Sequence, residues 1–247
     1  MLAIIGGTGT SQLANLRITR RQVVRTPYGD PSGPLTFGEI DSKPVVFIAR
    51  HGYGYTIPPH QINYRANLWA LAEHGVTRVI AIASVGGIRS DLAPGALVVP
   101  DQIIDYTWGR KQTIFDGGDT DFSHVDFTLP YDQDLRSKLL EAAARLGRPV
   151  IDGGTYACMQ GPRLETAAEI RRIRNDGGDM VGMTAMPEAA LARELGLQYA
   201  TLAVVVNWAA GIADSESAIA FDAATQVFAD GVQNLQAVLA ALLDGPN

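Results

Sequence analysis

Cysteine is almost missing from this chain: of 247 residues only Cys158 carries a thiol, so no disulfide forms within it. No run reaches the roughly 20 consecutive apolar residues of a membrane-spanning helix. Charged residues are sparse at 19%, and their net of -6 opposes binding to nucleic acid or anionic membranes, since phosphate backbones call for clustered cations. Any phosphate recognised here should be small and locally held. Residues 1–8 lack the basic start, apolar stretch and cleavage site of a secretory signal, so the expected location is cytoplasmic. Metal chemistry has little support, with no His-Glu-x-x-His, no Cys pair and no dense carboxylate–histidine cluster. Nucleophilic catalysis is also weak, because Cys158 falls in what reads as a buried strand and no Gly-x-Ser-x-Gly elbow occurs.

What the chain has instead is a set of apolar runs that break at glycines or polar residues. Leu2–Ile5 breaks into Gly6-Gly7-Thr8-Gly9; Val79–Ala83, Ala96–Val99 and Thr201–Val206 lack the alternation of half-buried strands and read as central ones. Leu35–Ile40 and Val45–Ala49, joined across Asp41-Ser42-Lys43-Pro44, form a hairpin that makes the sheet mixed. Helical periodicity runs through Asn63–Glu73, Asp132–Leu146, Glu165–Arg174 and Phe221–Leu243, with a shorter helix from Pro187 to Arg193 that stops at Gly196. The expected fold is α/β: a mixed β-sheet flanked by helices, in one domain spanning residues 1–247. Residues 107–128, rich in Gly and Asp, are the one long irregular segment, which in a compact domain is usually functional or meets a neighbouring subunit.

Strand ends in open α/β sheets converge on one crevice. Gly6-Gly7-Thr8-Gly9 reads either as a tight turn or as an anion cradle of backbone N–H groups with the Thr8 hydroxyl; Gln12 stands where a dinucleotide fingerprint needs its third glycine. Arg50-His51-Gly52 follows a strand and is either a surface pair or a fork and a donor for phosphate. Ser84-Val85-Gly86-Gly87 and Met183-Thr184 repeat the pattern of strand then hydroxyl. His60 and Asn63 read as loop and helix-cap residues. Glu165 reads as a helix-end carboxylate on its own. Asn207, at the end of a buried run, needs partners for its carbonyl and its NH2 from a loop or a ligand.

Together these segments resemble the trimeric purine nucleoside phosphorylases, most closely their methylthioadenosine phosphorylase branch. The likeness runs from Ile4–Gly9 through Ala49–Gly52, Asn63–Leu71, Gly161-Pro162-Arg163 and Met183–Glu188 to Asn207, nearly the whole chain. It implies a nucleoside phosphorylase-like fold, a homotrimer, and attack of inorganic phosphate, as co-substrate and without other cofactor, on C1′ of a purine nucleoside. By the same resemblance Thr8, Arg50, His51, Ser84 and Thr184 hold phosphate with the Ala83 backbone. Met183 lies beneath the ribose, Leu164 replaces an aromatic residue that stacks on the base, and Asn207 serves the leaving base near N7. His124 matches a position that reaches a neighbouring subunit's site.

Three departures then point to the substrate. Members acting on 6-aminopurines carry Asp at the position of Asn207, and the methylthioadenosine enzymes a second Asp where this chain has Ala209. Asn207 offers its NH2 to a purine O6 and its carbonyl to a protonated N7. Glu165 matches an acceptor for the N1–H of 6-oxopurines, whereas adenine N1 would set a lone pair against the carboxylate, a mismatch worth about 10⁴ or more. Where inosine-cleaving members place a His near the 5′-hydroxyl, this chain has Phe221 followed by Ala224, an apolar setting that suits a methylthio group. The expected substrate is 5′-methylthioinosine. The rivals are an inosine or guanosine phosphorylase, a methylthioadenosine phosphorylase, a hydrolytic nucleosidase, a non-catalytic nucleoside-binding protein and, on the first glycines alone, an NAD-dependent dehydrogenase.

Overall fold

The apolar runs become strands of one mixed sheet in the computed structural model, which describes residues 1–7, 13, 15–117 and 122–245, and of Phe221 the backbone only. Its strands are β1 (Leu2–Gly6), β2 (Arg17–Gln22), β3 (Leu35–Ile40), β4 (Lys43–Ala49), β5 (Arg78–Gly87), β6 (Leu97–Val99), β7 (Gln102–Asp105), β8 (Val150–Asp152), β9 (Thr155–Cys158), β10 (Met180–Gly182) and β11 (Gln198–Trp208). Five helices accompany them: α1 (Tyr64–Glu73), α2 (Gln133–Arg145), α3 (Ala167–Asn175), α4 (Ala185–Glu194) and α5 (Phe221–Asp244). The β3–β4 hairpin is antiparallel, and β1, β4, β5 and β11 run parallel, so the sheet is mixed as expected.

The two-residue period of the central strands sends alternate side chains to opposite faces. Ala3 and Ile5, Val79 and Ala81, and Ala203 and Val205 pack with the helix residues Leu68, Leu71, Ala189 and Leu191 on one side. Ile4, Ile80 and Ile82, and Leu202 and Val204 pack with Leu135, Leu139, Leu235 and Leu239 on the other. Capping agrees with the sequence at α1, where Asn63 accepts from the Ala66 N–H; α2 begins one residue later than its periodicity suggested, with Asp132 as the cap that accepts from the Leu135 N–H. Met186 is extended (φ -116°, ψ 138°), so the helical run of α4 begins at Pro187. Among the described residues no helix is long and apolar enough to cross a membrane.

Two departures from the sequence reading matter. Helix α3 starts at Ala167, not Glu165, because Thr166 and Glu169 close a capping box there. Strand β5 does not stop at Ala83: Ser84 lies inside it, and pairing with β11 continues to Asn207↔Gly86 and Trp208↔Gly87. On its opposite edge β5 changes partner. β1 accompanies it from Arg78 to Ala81, and β10 takes up pairing at Gly86 and Gly87. Between them Ile82–Val85 have no strand on that edge among the described residues.

Candidate active site

A cavity of about 770 Å³ opens over Ala83–Gly86 of β5. It brings together Arg50, His51, Ala83, Ser84, Leu164, Glu165, Met183, Thr184, Asn207 and Ala224, segments spread over most of the chain. Thr8 lies outside the described residues, and the side chain of Phe221 likewise. His124 does not line the cavity of its own chain; it is exposed, its ring edge-on to Phe122 with centroids 5.4 Å apart.

Arg50 sits at the end of β4 and is only 1% exposed. Its fork does not face the cavity as a free bidentate donor. Nε and Nη2 donate to the two Glu188 oxygens at 2.7 and 2.8 Å, and Nη1 donates to the Ile82 carbonyl at 2.9 Å, in the gap between β1 and β10. Tyr199 donates its hydroxyl to the same carboxylate at 2.8 Å. With five N–H groups on a guanidinium, two remain beyond these three bonds, one on each terminal nitrogen, for an anion. Burial works against the cation, but Glu188 holds its pKa above the usual arginine value. The glycine turn has its reason here: a Cβ on Gly7 would come within 2.6 Å of the Ile82 oxygen and 3.3 Å of Arg50 Nη1. Glycine lets β1 end against both.

His51, 5% exposed, donates from Nδ1 to the Ile57 carbonyl at 2.8 Å in the neutral state. Burial first, then the neighbouring Arg50 charge, pushes its pKa down to about 4. The expectation that it could donate from either nitrogen is therefore corrected: near neutral pH Nε2 carries a lone pair. It is suited to accept a hydrogen bond from a protonated oxyanion. Thr184 is buried and its backbone N–H donates weakly to the Tyr156 hydroxyl at 3.5 Å. Cys158 is fully buried, and burial raises its thiol pKa to about 12, which leaves it inert as a nucleophile.

Glu165 is half-buried at the cavity, and desolvation raises its pKa. The helix-end reading of this residue weakens, because Glu169 fills the capping role and also grips Arg163 through two 2.8 Å bonds. Asn207 follows a bulge, where the register against β5 skips Val206. Bulges re-aim side chains at sites. Its Nδ2 donates to the Trp208 carbonyl at 2.6 Å, which fixes the amide and leaves one N–H and the carbonyl oxygen for a flat polar ligand. Gly161 has φ +60°, and a Cβ there would meet Met183 Sδ at 2.4 Å, so glycine allows the Glu165 loop to lie against Met183.

Sequence reasoning missed Glu188, although a single carboxylate in Pro187-Glu188-Ala189-Ala190-Leu191-Ala192 is conspicuous on a helix otherwise built for burial. It also missed Ile219, Thr225 and Phe228, which line the cavity. Positions 221, 224, 225 and 228 form one helical stripe, the signal that would have found the last two. Among the described residues no group of three His, Cys, Asp or Glu side chains is arranged to hold a metal.

Residues 1–244 match the profile of the phosphorylase superfamily. A probable S-methyl-5′-thioinosine phosphorylase from Xanthomonas campestris pv. campestris is 54% identical over 215 residues, 87% of this chain and 86% of that protein. A 6-oxopurine nucleoside phosphorylase from Pyrococcus furiosus is 50% identical over 216 residues, 85% of this chain and 80% of that one. The solved structure of methylthioadenosine phosphorylase from Schistosoma mansoni in complex with adenine superposes with a TM-score of 0.93 at 31% identity, covering 98% of this chain and 90% of the other.

Two expectations test the buried charges. Glu188→Leu strands the Arg50 cation and should cost about 3–5 kcal/mol in urea unfolding, whereas Arg50→Leu with Glu188→Leu should cost less than the sum of the single changes. Additive losses would mean that the pair is not coupled. For His51, the unfolded side chain takes up its proton near 6.5 and the folded one only near 4, so its share of stability is complete above pH 6.5 and lost as the pH falls to 4. The loss should reach about 3 kcal/mol and be absent in His51→Asn, read as urea midpoints against pH.

Proposed function

The chain belongs to the phosphorylase superfamily, and from its site we propose that it catalyses the phosphorolysis of 5′-methylthioinosine to hypoxanthine and 5-methylthioribose 1-phosphate. The observation that carries this reading is the joint presence, in one cavity, of Glu165 and Asn207 with an apolar wall of Ile219, Ala224 and Phe228. The relatives named for S-methyl-5′-thioinosine and for 6-oxopurine nucleosides support both halves of it.

In this reading phosphate is bound by Thr8, Arg50, His51, Ser84, Thr184 and the Ala83 backbone, with no other cofactor. The two outward N–H groups of Arg50 meet phosphate oxygens, and His51 Nε2 accepts from a P–OH group. The C1′–N9 bond breaks with its electron pair leaving on the base, while a phosphate oxygen forms the new bond to C1′. Positive charge that grows on the sugar is stabilised by the phosphate anion, held ready before the reaction. Met183 supports the ribose and Leu164 covers the base. The Asn207 N–H meets O6 and its carbonyl accepts from a proton on N7, while Glu165 accepts from N1–H. A 5′-methylthio group lies against Phe221, Ala224 and Phe228, where a hydroxyl would lose its water partners.

The reading extends to a single domain over residues 1–247, a cytoplasmic location and a homotrimer in which His124 reaches a neighbouring site. A second reading, phosphorolysis of inosine or guanosine, is favoured by one observation: a hydroxyl-bearing residue, Thr225, is among those that line the same cavity.

Chromatography of free base from methylthioinosine, inosine and methylthioadenosine, each with and without phosphate, separates these readings. Hypoxanthine release that needs phosphate and is fastest from methylthioinosine is the expected result; faster inosine cleavage selects the second reading, and adenine release removes the base argument. Asn207→Asp should depress turnover of 6-oxopurines and introduce activity on 6-aminopurines, and Glu165→Gln should narrow the preference by about tenfold or more. An unchanged ratio in either variant would take that residue out of base selection.

A further inference from the structure

Arg110 belongs to the irregular segment and does not line the cavity, yet every N–H of its guanidinium has an acceptor behind the cavity wall. Nε donates to Gln160 Oε1 at 3.2 Å, and Nη2 donates to the carbonyls of Met159 and Gln160 at 3.2 and 2.8 Å. Nη1 donates to the Met183 carbonyl at 2.8 Å and to that of Met186. The Tyr64 hydroxyl lies 3.3 Å from Nη1 and itself donates to the carbonyl of Pro59, another wall residue. One side chain thus ties the loop that leads to Leu164 and Glu165 to the segment that holds Met183 and Thr184.

We propose that Arg110 is a positioning residue that sets the spacing between the base-selecting loop and the ribose floor. The inference rests on the functional reading above, in which Glu165 meets the base and Met183 the sugar. Backbone carbonyls that turn away from solvent need donors, and no other single side chain described here supplies four of them at once to these two segments. Lysine has three donors on a flexible stem and cannot reproduce a planar fork with five. Arg50 is fixed by Glu188 and His51 by Ile57, and of the residues assigned to phosphate only Thr184 sits on the clamped segment, so loosening the clamp should act on nucleoside more than on phosphate.

Arg110→Ala and Arg110→Lys, with the wild type beside them, test this. The expected result for Arg110→Ala is a loss of about 10²-fold in kcat/KM for methylthioinosine, the scale of a misplacement near 1 Å. It should appear mainly in the nucleoside KM, with the phosphate KM within about threefold, since Arg50 and His51 keep their own partners. Millimolar guanidinium should restore part of the lost rate where equal sodium chloride does not, and Arg110→Lys should stay impaired. Equal rises in both KM values, or no rescue by guanidinium, would reduce Arg110 to a general stabilising residue and overturn the proposal. Titration calorimetry with hypoxanthine separates the two failures. A wild type without phosphorolysis defeats the functional reading, whereas unchanged hypoxanthine affinity in Arg110→Ala defeats the clamp.

Discussion

The interrupted edge of β5 is the constraint from which the rest of the site follows. Among the described residues no strand pairs with β5 on that edge over Ile82–Val85, so backbone groups there turn to other partners. Arg50 takes the first of them, the Ile82 carbonyl, and to stand there as a buried cation it needs a buried anion. Glu188 supplies it, from a helix whose start is displaced by the extended Met186. Ala83, Ser84 and Val85 line the cavity. A site of this kind is held ready by hydrogen bonds made during folding rather than assembled when a ligand arrives.

The sheet was legible because its central strands are buried on both faces and therefore read as continuous apolar runs. The hairpin and the cap at Asn63 were legible from turn and capping chemistry. β2 was not: Arg17–Gln22 is an exposed edge strand of mostly charged and polar residues, with no apolar face to announce it. Its charges fit the role of an edge that resists pairing with other chains. The extension of β5 past Ser84 was equally hidden, since glycines that signal turns also allow close strand packing.

For the site, ten of the residues singled out in the sequence, at strand ends, in the Glu165 loop and on the last helix, meet in one cavity. What the sequence did not reveal was who holds them. Glu188, Arg110 and the Ile57 carbonyl lie far along the chain from their partners or contribute only backbone. Long-range polar pairing leaves no local period, so it becomes visible only with coordinates. Glu165 shows the reverse case: the helix-end role that its position suggested is filled by Glu169.

The cavity walls belong to elements with separate anchors. α5 rests on β11 and α2, the loop with Glu165 on the segment around Met183, and Arg50 on Glu188. Such a division makes the fold evolvable one specificity at a time. A lineage can exchange the side chains that α5 presents to the cavity by drift along a single helical stripe while the pairing of Arg50 with Glu188 stays intact. Close relatives that differ in the nucleoside they cleave are then the natural products of one scaffold, and a designer who wishes to redirect it would begin with that stripe.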